Sequence, residues 1–290
     1  MSVRANFVLK NLVLLAAAFA LVLSPARMAD CSQSELLTPF TGGIRNYEPV
    51  LSNEIQPVPG ARAGIASHHG LASKPIAAFY ESLKASAGPD IKSVIIIGPD
   101  HFHAGLKSVA VCPAGWRAGD IILPVDEKAL AMITDIGAAK AETLPFRMEH
   151  SIGLHVDFAG RYFPSASITA IMIKKTALQQ DLAKLVPVLA KLFDDHTLLI
   201  LSMDFSHKKL PVQAKQDDDK SIRIISNFET GKLRSLDIDA SKATWLFLKT
   251  LKTKGLTHPV LLDRTNSSEI AGQPDLPCTS YAFMLFAPQK

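Results

Sequence analysis

The run Val94-Ile95-Ile96-Ile97 restricts the fold more than any other segment of the chain. Four consecutive β-branched residues read as a strand, and because strand side chains alternate, apolar groups then project from both faces and both must be covered. Strands of that kind belong to sheets layered between helices. The segment before it agrees. Residues 63–67 read as a short strand, Ser73 as a helix N-cap with Pro75 in the first turn, and Ile76, Phe79, Tyr80 and Leu83 recur at helical spacing before the strand at 93–98. This is a βαβ unit.

The alternation continues: strand 168–173, an apolar-periodic helix 178–193 that Pro187 should kink, strand 197–202, helix 240–252, strand 260–262 and a last strand at 281–286. The expected fold is a single α/β domain, with a mainly parallel or mixed sheet and helices on both faces. No repeat or linker divides the chain after residue 60. Residues 27–59, mixed in Pro, Gly, Ser and Asn, read as an extended lead-in to a domain spanning 60–290.

The first 26 residues read as a targeting element. Arg4 and Lys10 precede an apolar run at 12–23, with Ser24 and Ala26 placed for cleavage after Ala26. The run is short for a bilayer span, which favours a signal peptide over an uncleaved anchor. An exported protein is expected, periplasmic if bacterial, touching a membrane only through that segment if it is retained. The segment carries two cations and no acid, so its removal takes the formal charge from +4 to +2. The other Lys and Arg residues are scattered, which argues against nucleic acid as a partner and leaves small molecules or metal ions. Cys31, Cys112 and Cys278 show no metal-binding spacing, and the latter two read as small buried apolar residues.

Seven of the nine histidines fall in four short motifs: Ser67-His68-His69-Gly70, Gly98-Pro99-Asp100-His101-Phe102-His103, Glu149-His150-Ser151 with His155, and Asp204-Phe205-Ser206-His207. Three of these motifs directly follow predicted strands, and in an open α/β sheet the carboxyl ends of parallel strands form the ligand-binding edge. A right-handed crossover brings His68 and His101 to that one edge. Two or three imidazoles with a carboxylate and an open position suit a divalent metal, and two His with one carboxylate suit non-haem Fe(II). His69 and His103 are adjacent spares.

The ordered set of motifs resembles the Memo family, which includes protein B of the AmmeMemoRadiSam system. The likeness runs on through Leu261-Leu262-Asp263, Asn266-Ser267, Ala271-Gly272 and Tyr281-Ala282-Phe283, covering roughly residues 60–286. That resemblance implies a fold like that of the class III extradiol dioxygenases, which hold Fe(II) with two His and one Glu and use another His for acid/base work. Carried over, it makes His68 and His101 metal ligands and His207 the acid/base residue, with Asp204 orienting His207. Where the family usually has Cys-Gly before a helix, this chain has Asp239-Ala240. Asp239 is then either a third ligand or the N-cap of the following helix, and both readings stand. Glu149 and His150 line the pocket or pair with each other, and His155 is a further pocket residue.

The implied cofactor is a divalent metal, Fe(II) first and copper or zinc as alternatives. The functional readings are a non-haem iron dioxygenase, a non-catalytic protein handling iron or copper or assisting AmmeMemoRadiSam proteins, and a metal-dependent hydrolase. No GxxxxGK[ST], strand-following GxGxxG, GxSxG or HExxH occurs, which removes the common nucleotide, serine-hydrolase and zincin motifs.

Overall fold

The structure, a computed structural model, describes residues 35–42 and 55–289. In chain order the strands are β1 (Leu36–Leu37), β2 (Ala63–Ala66), β3 (Ser93–Pro99), β4 (Val109–Val111), β5 (Gly115–Ala118), β6 (Ile121–Leu123), β7 (Lys140–Ala141), β8 (Ser167–Ile173), β9 (Thr197–Ser202), β10 (His207–Lys209), β11 (His258–Asn266) and β12 (Cys278–Ala287). The helices are α1 (Ser73–Ala87), α2 (Glu127–Asp135), α3 (His150–Tyr162), α4 (Gln179–Leu192), α5 (Pro211–Ser226), α6 (Ser241–Lys254) and the single turn α7 (Ser267–Ile270). The compact unit that holds these elements starts at Leu36, because β1 pairs with β5.

Among the described residues, nine strands form one mixed sheet in the order β10-β12-β2-β9-β3-β8-β4-β7, with β11 paired to β12. Its centre, β2-β9-β3-β8, is parallel, and β12 and β4 flank it antiparallel. Side-chain alternation divides the core in two. Val94 and Ile96 of β3 and Leu198 and Ile200 of β9 pack on one side with α1 and α3, while Ile95, Ile97, Leu199 and Leu201 pack on the other with α4 and α6. Every residue of β3 is buried, as the Val-Ile-Ile-Ile run requires.

One local detail departs from expectation. Ser73 is the first helical residue of α1 rather than its cap, and Ala72 holds the cap position without a side-chain bond. The helix α4 runs through Pro187. Cys112 and Cys278 are both buried, whereas Cys31 and the whole 1–26 segment lie outside the described residues.

Two close approaches position α3 over the end of β3. A Cβ on Gly98 would meet the Ser151 hydroxyl at 2.9 Å, and in its absence that hydroxyl donates to the Pro99 carbonyl at 3.0 Å. A Cβ on Gly153 would lie 2.3 Å from the Phe40 carbonyl oxygen, so only glycine lets the segment after β1 cross the first turn of α3.

Candidate metal centre

Because β9 lies between β2 and β3, the residues leaving those strands emerge side by side: His68 after β2, Asp204 after β9, His101 after β3. Asp100 shapes the turn beyond β3, its carboxylate accepting from the Ala104 and Gly105 N–H groups at 3.0 and 3.1 Å. Asp239 joins from the loop ahead of α6. Its N–H donates to the Asp204 carbonyl at 3.3 Å, and its Oδ1 accepts from the Asp204 N–H at 3.1 Å. It makes no capping bond to α6, whose cap position is Ala240.

The free carboxylate oxygen of Asp239 is where these elements converge. Oδ2 lies 3.1 Å from His68 Nε2 and 3.5 Å from His101 Nε2, and it is buried without an aligned hydrogen-bond partner. Donors held about 2.0–2.2 Å from one ion stand about 3.0–3.5 Å apart at right to tetrahedral angles. The observed spacings fit a shared cation. No aligned N–H···O bond reaches this oxygen. Asp204 Oδ2 adds a further oxygen 3.8 Å from His68 Nε2.

Bonds on the far side of each ring aim the donors. His68 Nδ1 is 2.9 Å from Ser202 Oγ, and His101 Nδ1 is 2.9 Å from Glu149 Oε1, so each ring presents Nε2 to Asp239. Such outer partners fix ring orientation and tautomer in metal sites. Glu149 is fully buried and also accepts from the N–H groups of His101 and Ser151 at 3.0 Å each, so one carboxylate caps α3 and holds His101.

The electrostatics suit a cation as well. Burial would raise the Asp239 and Glu149 carboxyls, yet both are held below the ordinary range, Asp239 by His68 and His101 and Glu149 chiefly by His101. Burial opposes charge on His101, but the facing carboxylates of Asp239 and Glu149 outweigh it and raise the ring to about 10. His150 moves the other way, to about 4, through burial and the neighbouring His68 and His101. Three buried carboxylates, Asp204, Asp239 and Glu149, thus surround imidazoles that are neutral when they ligate, a balance that a dication completes.

The remaining site residues lie elsewhere than the motifs suggested. Asp204 does not orient His207: its Oδ1 accepts from the Ser67 hydroxyl at 2.6 Å and the His68 N–H at 3.3 Å. The chain turns into β10 after Ser206, pairing His207 with Thr279 of β12 and taking the His207 N–H to Asp237 at 3.4 Å. His155 does not line the pocket. It is fully buried in α3 with Nδ1 3.1 Å from the Tyr80 hydroxyl, because its helix face points at the core. His103 stands outside the cluster, whereas His69 bonds to Tyr281 and lines the site.

A cavity of about 490 Å³ reaches the cluster at His68 and is lined further by His69, His150, Phe40 and Leu71. His150 lines the pocket, as one of its two sequence readings had it. It opens α3, its ring stacks on His101 at 4.7 Å, and one of its nitrogens lies within 4.8 Å of donor nitrogens of His68 and His101. Glu149 beside it in sequence was the available signal.

Two comparisons bear on the family of the chain. Residues 44–285 match the family described as Memo-like protein. A MEMO1 family protein of Pyrobaculum arsenaticum is 26% identical over 238 residues, covering 78% of this chain and 83% of that protein. A MEMO1 family protein of Thermotoga maritima is 27% identical over 219 residues, covering 72% and 77%.

Proposed function

The chain belongs to the Memo-like family, and from that premise we propose that it is an Fe(II)-dependent oxygenase acting on a small oxygen-donor substrate admitted through the cavity. The observation that carries the reading is the convergence of His68 Nε2, His101 Nε2 and the partnerless Asp239 Oδ2. Two imidazoles and one carboxylate with room for further ligands are the donor set of non-haem Fe(II) oxygenases. Bound there, Fe(II) supplies one-electron redox chemistry toward dioxygen together with open coordination positions.

The protein's own groups supply orientation and proton handling. Ser202 and Glu149 keep both Nε2 atoms pointed inward, and Ser67 and Asp204 pin the backbone from which His68 projects. His69 and His207 are the imidazoles left for acid/base work. Burial lowers the His69 pKa, and its Nδ1 meets the Tyr281 hydroxyl, so its other nitrogen is available to accept a proton from a substrate hydroxyl. His207 is near enough for its charge to add to the lowering of the His69 pKa. Phe40 and Leu71 keep the opening apolar on one side, which favours substrates with an apolar body.

The test is anaerobic purification with metal analysis, followed by oxygen uptake with catechols and other small diols after Fe(II) loading. Uptake that depends on both iron and substrate supports the reading. Tight iron or copper binding without uptake across such a panel replaces it with metal handling.

A further inference from the structure

We propose that His150 is a displaceable fourth donor: it completes a His68–His101–His150–Asp239 set when the cavity is empty, and yields its position to an oxygen of the incoming ligand. This rests on the metal-site reading above.

The buried side of the centre is closed by Asp204 and Asp239, both under 10% exposed. The open side faces the cavity, and His150 stands there with its side chain 28% exposed. One of its ring nitrogens is within 4.8 Å of the donor nitrogens of His68 and His101. Donors on opposite sides of one ion lie about 4.2 Å apart, so a small rotation of the ring brings His150 into the set. Its ring is stacked 4.7 Å over His101 and edge-on to His68 at 5.2 Å, placing all three imidazoles around one point.

The position is anchored while the ring is not. His150 is the first residue of α3, and Glu149 fixes that turn through Ser151 while bonding His101 twice. A single buried carboxylate therefore sets the separation of His150 and His101. The ring's polar approach to Glu149 Oε1 is 3.5 Å, beyond a firm hydrogen bond. A ring held by ring contacts and one loose polar approach can turn to a cation and turn away again. In the exchange one metal–nitrogen bond breaks and one metal–oxygen bond forms, with no change of oxidation state. With His150 bound the set is three imidazoles and a carboxylate, a four-coordinate arrangement that suits Zn(II) and Co(II). With it released, the two-His-one-carboxylate set with open positions is left.

The experiment uses Co(II), whose visible absorption is intense when four-coordinate and weak when five- or six-coordinate. Wild type, His150→Ala and His150→Gln are loaded under anaerobic conditions, with metal content and thermal melts measured in parallel. The expected result is an intense wild-type spectrum, a weak one for both variants with Co(II) still bound at about tenfold lower affinity, and recovery of the intense spectrum when imidazole is added to His150→Ala. Variants that bind Co(II) with the wild-type spectrum and affinity overturn the proposal and leave the three-donor site standing. A wild-type protein that binds no Co(II) overturns both.

Discussion

At Asp239 one oxygen accepts a backbone N–H and the other meets only two histidine nitrogens, so the two oxygens can be assigned different work. Asp239→Asn keeps an acceptor for the Asp204 N–H and exchanges the inward oxygen for an amide, a poorer donor to a hard dication. Titration with Mn(II) should show affinity lower by about tenfold or more with the melting temperature of the metal-free protein little changed. Unchanged affinity would assign Asp239 a purely structural role. Glu149→Gln tests the outer partner: it weakens the bond that aims His101, and metal affinity should fall by about 10- to 100-fold. The metal-free site also binds protons that a cation must displace. Because carboxylates raise His101 to about 10 against the opposing effect of burial, Mn(II) affinity should climb steadily between pH 6 and pH 9, and a flat profile would contradict the assignment.

Among the elements, α3 carries the most. It brings Glu149 and His150 to the centre, buries His155 against Tyr80, and lets the chain cross at Gly153. Gly153→Ala would force a Cβ to within 2.3 Å of the Phe40 carbonyl oxygen, and an overpacked contact of this kind costs about 1–3 kcal/mol, to be read as a lower urea midpoint. His155 gives α3 a pH signature. Burial and the nearby His68 hold its pKa at about 3, against 6.5 for an exposed histidine. Between those values the unfolded chain binds the extra proton, so stability falls as pH falls through that window, by up to about 1.4 kcal/mol per pH unit. In chelated protein His155→Gln should flatten that decline between pH 6.5 and 5, and an unaltered slope would remove His155 as its source. Helix α3 was also the element least readable in sequence. Ten of its thirteen residues are buried, on nearly every side of the helix, which erases the polar–apolar period that identified α1 and α4. Helix α5 escaped for the opposite reason, since Lys215, Asp217, Asp218, Asp219 and Lys220 leave it a thin apolar stripe.

At the scale of the whole molecule, the alternation of strands and helices was the legible part of the sequence, and the position of the site came with it. Strands buried on both faces implied a parallel centre, and a parallel centre implied that His68, His101 and Asp204 share an edge. Anything set by a turn after a strand stayed hidden. Asp204 and His207 are three residues apart, yet the turn into β10 sends Asp204 to Ser67 and His68. Asp239 was left between cap and ligand because both roles precede a helix; in the structure the cap position falls to Ala240 and Asp239 Oδ2 faces two imidazoles. The N-terminal segment belongs to this scale too. If it directs export, N-terminal sequencing of protein made in a bacterial host should begin at Arg27, and retention of Met1 in the membrane fraction would indicate an anchor.

The account turns on a single divalent ion held by His68, His101 and Asp239, and metal content per chain after anaerobic purification and Fe(II) reconstitution tests it most directly. Wild type should retain about one ion after desalting, whereas His68→Ala and His101→Ala, folded by circular dichroism, should retain almost none, since loss of either leaves too few donors. Retention of iron by both variants at the wild-type level would contradict the account.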